Sequence, residues 1–137
     1  MVLLLDYDGT LVPFAPRPEL AAPNPNLLTI LSWLVHREDV RVHIVSGRCR
    51  SSLETWLGAF PFAGLHAEHG LWSKRRGKPW SARFALGPAI GSPILGVLEE
   101  AQRGLPRSLI EMKSASVAWH WRDADPIEAR PKVNALT

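Results

Sequence analysis

The chain opens on Val2-Leu3-Leu4-Leu5-Asp6-Tyr7-Asp8-Gly9-Thr10-Leu11, and this stretch decides the fold class. Val2 to Leu5 is a short, wholly apolar run, the pattern of a parallel strand buried on both faces. The run ends at Asp6, and in open α/β sheets the carboxyl ends of the strands face the ligand crevice. Asp6 and Asp8 therefore leave the strand at that edge, where Gly9 permits a tight turn. The string Asp-x-Asp-Gly-Thr arises by chance in a chain of this length less than about once in a thousand. A surface turn whose carboxylates cap local N–H groups is the alternative; the position behind a buried strand favours a working pair of acids.

Downstream, a Pro-rich connection runs from Pro13 to Pro25. Asn24 offers an N-cap and Pro25 an N1 residue for a helix whose buried stripe is Leu27, Leu28, Leu31, Leu34 and Val35. A second strand, Val40–Val45, runs into Ser46-Gly47-Arg48. Ser51 and Glu54 have capping-box spacing ahead of a helix through Trp56 and Leu57, which Gly58 ends. Phe62–Ala67 reads as a third strand leading into Glu68-His69-Gly70. Beyond about residue 72 the pattern changes to hairpins: Leu71–Ser73 with Trp80–Phe84, then, after a helix over Ile94–Gln102, Leu109–Lys113 with Val117–Arg122. Asp125-Pro126 is a further N-cap and N1 pair, although Pro131 disfavours the interior of the helix it would start by ~3 kcal/mol. The whole reads as α/β, with residues 1–71 forming the first sheet and 72–137 a small mixed unit appended to it.

The bulk properties narrow the function. The 137 residues are one domain's worth, and 46% hydrophobic with 21% charged residues excludes global disorder. No apolar run approaches the ~20 residues of a membrane helix, and nothing basic precedes Val2–Leu5, so neither a spanning segment nor a signal peptide is expected. The single cysteine, Cys49, allows no internal disulfide or zinc cluster and fits a reducing compartment, which points to the cytoplasm. The net charge of +3 comes from mostly scattered residues. Only Lys74-Arg75-Arg76 with Lys78 cluster, and Gly77 among them marks a hairpin tip rather than a nucleic-acid face. No nucleic-acid partner is expected; a small anionic substrate suits the balance.

Asp6 can attack a phosphorus atom to give an aspartyl-phosphate, while Asp8 protonates the departing oxygen and later takes a proton from water. Both jobs crowd negative charge around a phosphoryl group, which calls for a hard, oxygen-liganded cation such as Mg2+. Ser46-Gly47-Arg48 brings a hydroxyl, an unencumbered backbone N–H and a guanidinium to the same crevice, where they can bind phosphate oxygens. Alone, this tripeptide is equally a turn leading into a helix.

Asp6 to Leu11 together with Ser46-Gly47-Arg48 resembles the first two motifs of the haloacid dehalogenase superfamily of phosphatases. Ala67-Glu68-His69-Gly70, Glu111-x-Lys113, Ser116 to Arg122 and Ala124-Asp125-Pro126 narrow the resemblance to the trehalose-6-phosphate phosphatase family, in the family's order and over nearly all of the chain. The resemblance implies a Rossmann-like core over 1–71, a small α/β cap over 72–137, Mg2+, and removal of the 6-phosphate from trehalose 6-phosphate in trehalose biosynthesis. By match, Asp6 is the nucleophile and a metal ligand. Asp8 is the acid/base and a second metal ligand through its carbonyl, and Ser46 holds the phosphoryl group, beside the Gly47 N–H and Arg48 guanidinium read above as phosphate binders. Glu111 and Lys113 match residues that contact glucose hydroxyls, and their spacing puts both on one strand face, with Ile110 and Met112 toward the core. A solvated strand face with a weak ion pair is the alternative for Glu111 and Lys113. His69 and His120 read equally as structural histidines or substrate contacts, and Trp119 and Trp121 as core of the second unit.

The superfamily's later lysine and later acidic pair have no counterpart before Thr137, and Ala135 stands where the lysine would be expected. The chain thus reads as C-terminally truncated and impaired as a catalyst, with an exposed sheet edge that favours dimerisation or aggregation. Another sugar-phosphate phosphatase of the superfamily and a non-catalytic sugar-phosphate-binding remnant stay open beside the first reading.

Overall fold

In the computed structural model, which describes residues 1–85 and 92–136, three parallel strands carry the first unit. Strand β1 (Val2–Asp6) pairs with β2 (Arg41–Val45), setting Leu3 against Val42, Leu5 against Ile44 and Asp6 against Val45. Strand β2 pairs in turn with β3 (Gly64–Ala67). Between β1 and β2 runs helix α1 (Pro25–Val35), started as its sequence requires: Pro25 sits in the first turn and the Asn24 side chain accepts the Leu27 N–H at 2.9 Å. Helix α2 (Arg50–Leu57) joins β2 to β3. Leu31 and Val35 of α1, Leu53 and Leu57 of α2, and Val42, Ile44 and Leu65 of the sheet are buried in one cluster, with Leu3 and Leu5 packed on it. Truncating a side chain as enclosed as Leu53 costs roughly 2–5 kcal/mol.

The other face of β1 departs from expectation. Leu4 is 70% exposed and Val2 59%, so the strand is buried on one face only and its apolar run is not the mark of two covered faces. The capping box at α2 does not form either. Cys49 is the N-cap and makes no side-chain cap bond, and the Ser51 hydroxyl lies 3.1 Å from the Cys49 sulfur. Glu54 is drawn away by stronger partners: the Lys74 ammonium at 2.8 Å and the Trp80 indole N–H at 2.7 Å. Both hold its carboxyl below the usual carboxylate range, and together they tie α2 to the next hairpin.

That hairpin, β4 (Trp72–Arg75) and β5 (Trp80–Ala82), turns at Gly77, whose φ of +68° suits glycine. Strand β4 adds antiparallel to β3, so the five strands run in sequence order in one sheet and β1 is an edge strand. The compact first unit therefore extends to Ala85, and the boundary expected after residue 71 shifts because hydrogen bonding to β3 holds the hairpin on the first sheet.

The second unit, Leu86–Thr137, contains helix α3 (Ser92–Arg103), the antiparallel pair β6 (Leu109–Met112) and β7 (Val117–His120), and helix α4 (Pro126–Leu136). Leu105, Ala124 and Ala129 form its core, packed by Trp119 and Trp121 as their spacing suggested. Asp125 caps α4 by accepting the Ile127 N–H at 2.8 Å, and the helix continues past Pro131. Met112, expected inside, is 51% exposed. No described helix is long and apolar enough to cross a membrane.

Candidate active site

Asp6 ends β1 on its exposed face. Tyr7, next in line, is fully buried, stacks on Trp56 with centroids 5.6 Å apart, and donates its hydroxyl to the Ala21 carbonyl at 2.8 Å. Burial pushes this phenol up to about 12, against the opposing pull of the nearby Arg48, so it stays a neutral donor. Behind Tyr7 the chain turns tightly: Leu11 and Val12 N–H donate to the Tyr7 carbonyl at 3.0 and 3.1 Å, and Gly9 N–H to the Val12 carbonyl at 2.7 Å. Gly9 holds φ at +82°, and a Cβ there would lie 2.7 Å from the Phe14 ring. The turn thus needs glycine on two counts.

The loop after β2 meets this turn. Arg48 donates from Nε to Asp8 Oδ2 at 2.9 Å and from Nη2 to Asp8 Oδ1 at 2.7 Å, and its guanidinium lies 5.1 Å from the centre of the Trp56 ring. Ser46 is buried, its Oγ accepting the Arg48 backbone N–H at 3.1 Å. Its backbone N–H donates to His66 and its carbonyl accepts from His69, each at 2.9 Å. A Cβ on Gly47 would meet the His69 imidazole at 2.6 Å, so glycine there lets the ring lie against the backbone. Glu68, His69 and Gly70 all adopt positive φ, of 49°, 57° and 90°. Three consecutive left-handed residues, two of them not glycine, mark a segment held in place by its surroundings. Glu68 N–H donates to the Arg48 carbonyl at 3.0 Å and completes that hold.

The structure thus brings Asp8, Ser46, Gly47 and Arg48 together beside the strand end that carries Asp6. Arg48 and Asp8, read from sequence as separate phosphate and proton groups, are bound to each other. Glu111 and Lys113 belong to the second unit. Glu111 Oε2 is 2.8 Å from His120 Nε2 and 3.6 Å from Lys113 Nζ, so His120 joins the two expected residues on one face of the pair β6–β7. Tyr7, Trp56 and His69 support the first loops. The alternation through Asp6-Tyr7-Asp8 foretells that Tyr7 turns inward, and His69 lies at the carboxyl end of the third strand as its sequence position suggests, whereas nothing local in the sequence brings Trp56 to this place.

A divalent cation of the Mg2+ type takes oxygen ligands octahedrally and is often held by one or two carboxylates, with water and substrate phosphate completing its shell. Among the described residues no three His, Cys, Asp or Glu side chains converge on one point. With the Asp8 carboxylate engaged by Arg48, the loops offer the Asp6 carboxylate and the Asp8 carbonyl. This pair fits a cation that draws the rest of its shell from water and phosphate, and falls short of a cage that retains metal alone.

Three parallel strands, the first ending in Asp-Tyr-Asp-Gly-Thr and met by a Ser-Gly-Arg loop from the adjacent strand, give the α/β arrangement that the resemblance to the haloacid dehalogenase superfamily implies. The model of the family described as Trehalose-phosphatase matches residues 4–137, and the chain belongs to that family. It is 42% identical over 135 residues to the bifunctional trehalose-6-phosphate synthase/phosphatase of Thermoproteus tenax, covering 98% of this chain and 18% of that protein. It is 35% identical over 128 residues to the trehalose-phosphatase of Saccharomyces cerevisiae, covering 91% of this chain and 14% of the relative. Among solved structures, the C. albicans trehalose-6-phosphate phosphatase C-terminal domain superposes with a TM-score of 0.88 at 32% identity, over 98% of this chain and 47% of that one. The C-terminal domain of a Candida albicans trehalose synthase regulatory protein superposes with a TM-score of 0.63 at 25% identity, over 87% and 40%. The chain thus spans under a fifth of these curated relatives and about half of the first solved domain.

Proposed function

We propose that the chain carries the phosphoryl-transfer loops of a phosphatase that hydrolyses trehalose 6-phosphate to trehalose and phosphate. The observation that carries this reading is the meeting of the Asp8 turn and the Arg48 loop at the carboxyl ends of adjacent parallel strands, next to Asp6. The Asp6 carboxylate attacks phosphorus as the bond from phosphorus to the sugar oxygen breaks, and Asp8 gives its proton to that oxygen. Asp8 then takes a proton from water as the water oxygen attacks the aspartyl-phosphate, releasing phosphate and restoring Asp6. Arg48 and the Ser46 hydroxyl orient the phosphoryl oxygens, for which Arg48 must exchange Asp8 for substrate. A bound Mg2+, held by Asp6 and the Asp8 carbonyl, supplies charge neutralisation at the phosphoryl group. A cytoplasmic location belongs to the same reading, supported by the lone cysteine.

Glu111 and Lys113 are the proposed glucose contacts, supported by their shared strand face and their match to the family pattern. The test is substrate choice. Glu111→Ala or Lys113→Ala should raise KM for trehalose 6-phosphate and spare a simple aryl phosphate. Equal losses on both substrates would assign these side chains a structural role.

The fork between Arg48 and Asp8 also favours a second reading, a sugar-phosphate-binding module without turnover, in keeping with the similarity to a regulatory protein's domain. Binding of trehalose 6-phosphate without phosphate release would select it, whereas selective loss in the Glu111 and Lys113 variants of an active chain supports the first reading over other sugar phosphates.

A further inference from the structure

The basic cluster at the β4–β5 hairpin divides in two. Lys74 is consumed by Glu54, and Arg76 donates to the Pro61 carbonyl at 2.8 Å and the Val35 carbonyl at 3.3 Å, so both hold the hairpin to the unit. Arg75 and Lys78 instead line a cavity of about 620 Å³, together with Arg83. Strand register explains the cavity's floor. His66 pairs with Ser73, and Ser73 with Ser81, so three polar side chains form one row across β3, β4 and β5. Arg75 flanks the row on β4, while Arg83, anchored by its N–H to the Leu71 carbonyl at 2.8 Å, flanks it from the opposite end.

The row is ordered by its own bonds. His66 Nδ1 lies 2.9 Å from the Ser73 hydroxyl, His66 Nε2 lies 3.1 Å from His43 Nδ1, and the Ser81 hydroxyl donates to the Ser73 carbonyl at 3.3 Å. Among the described residues no carboxylate lines the cavity. Among the described residues, none of the three cations is paired with an acid. Like charges gathered around one concavity repel unless an anion bridges them, and guanidinium forks beside hydroxyls match the several acceptor oxygens of a phosphate better than a lone carboxylate does. The volume falls in the range of small-molecule sites.

We propose that this cavity is an anion site that takes a phosphorylated small molecule, separate from the Asp6–Asp8 loop. It adjoins that loop through β3 and through Gly70, whose neighbours Glu68 and His69 bond to Arg48 and Ser46, and nothing in the proposed hydrolysis uses Arg75, Lys78 or Arg83.

The test is calorimetric titration of the chain with inorganic phosphate and with glucose 6-phosphate, at low ionic strength, on the wild type, Arg75→Ala/Arg83→Ala and Arg48→Ala. The double variant changes two exposed side chains, and its thermal midpoint reports that it is folded. In Arg48→Ala, whose first loop lacks its guanidinium, binding at this cavity should persist, whereas in the double variant it should weaken by about tenfold or more. Tighter binding of the sugar ester would identify esters as the occupants, and equal binding would identify free phosphate. Affinity unchanged in the double variant, or lost in Arg48→Ala alone, would overturn the proposal and assign all binding to the first loop. A single conservative change, Arg75→Lys, should retain part of the affinity; loss equal to that of the double variant, with the fold intact, would also count against a site built on charge.

Discussion

Arg48 grips Asp8 through two parallel hydrogen bonds, of 2.9 and 2.7 Å, across 40 positions of sequence. The contact exists because β1 and β2 are adjacent and parallel, so the residues just beyond their ends emerge side by side. A fork of this kind fixes the direction of both side chains and is stronger than a single charged bond. Asp8 is thereby held, and the proposed chemistry requires an arriving phosphate to draw the guanidinium away.

If the fork fastens the two loops, Arg48→Ala should lower stability by roughly 1–2 kcal/mol, a modest figure because Asp8 keeps access to water. Arg48→Lys should recover only part, since an ammonium cannot form the fork. Urea unfolding of the three proteins measures this, and identical midpoints would show that the contact does not support the fold.

The approach of His69 to Gly47 leads to a second expectation. Gly47→Ala puts a methyl where the imidazole lies, and should cost about 1–3 kcal/mol by displacing it. His69→Ala in the same chain should restore much of that loss, so a double-mutant cycle should show strong coupling. Additive costs would mean that the glycine serves the backbone alone.

A third expectation concerns pH. Burial, then the neighbouring His43 and Arg75, push His66 below its ordinary value of 6.5. The unfolded chain then binds the proton more readily than the folded one, so stability present above about pH 6.5 should fall as the pH drops through that value toward the depressed one. The groups facing His66 are His43, Ser73 and Arg75, so His66→Gln should flatten this part of the curve. An unchanged curve for the variant would place the effect elsewhere.

Much of this was legible in the sequence, for reasons that also mark where legibility stops. Asn24-Pro25 and Asp125-Pro126 announced their helices because caps act over three residues. The Asp6 and Ser46 loops were legible because a parallel sheet sends strand ends to one side. Sequence spacing at Ser51 and Glu54 misled because Lys74 and Trp80, distant in the chain, outcompete a local cap. The open face of Leu4 was hidden because an apolar run does not tell one covered face from two. The hairpin's allegiance depended on pairing with β3, a choice that local pattern does not encode. The engagement of Asp8 by Arg48 was invisible for a related reason: motifs name the groups that meet, not which of them bond to one another.

The most direct measurement is phosphate release from trehalose 6-phosphate, with millimolar Mg2+, by the 137-residue chain and its Asp6→Asn variant, each first shown to unfold cooperatively. The account predicts release slower than the ~10 per second typical of enzymes, because Asp8 is held by Arg48 and the cation finds few ligands. It also predicts that this release falls by about three powers of ten or more in Asp6→Asn, which lacks the nucleophile. Release that persists undiminished in Asp6→Asn would contradict the account.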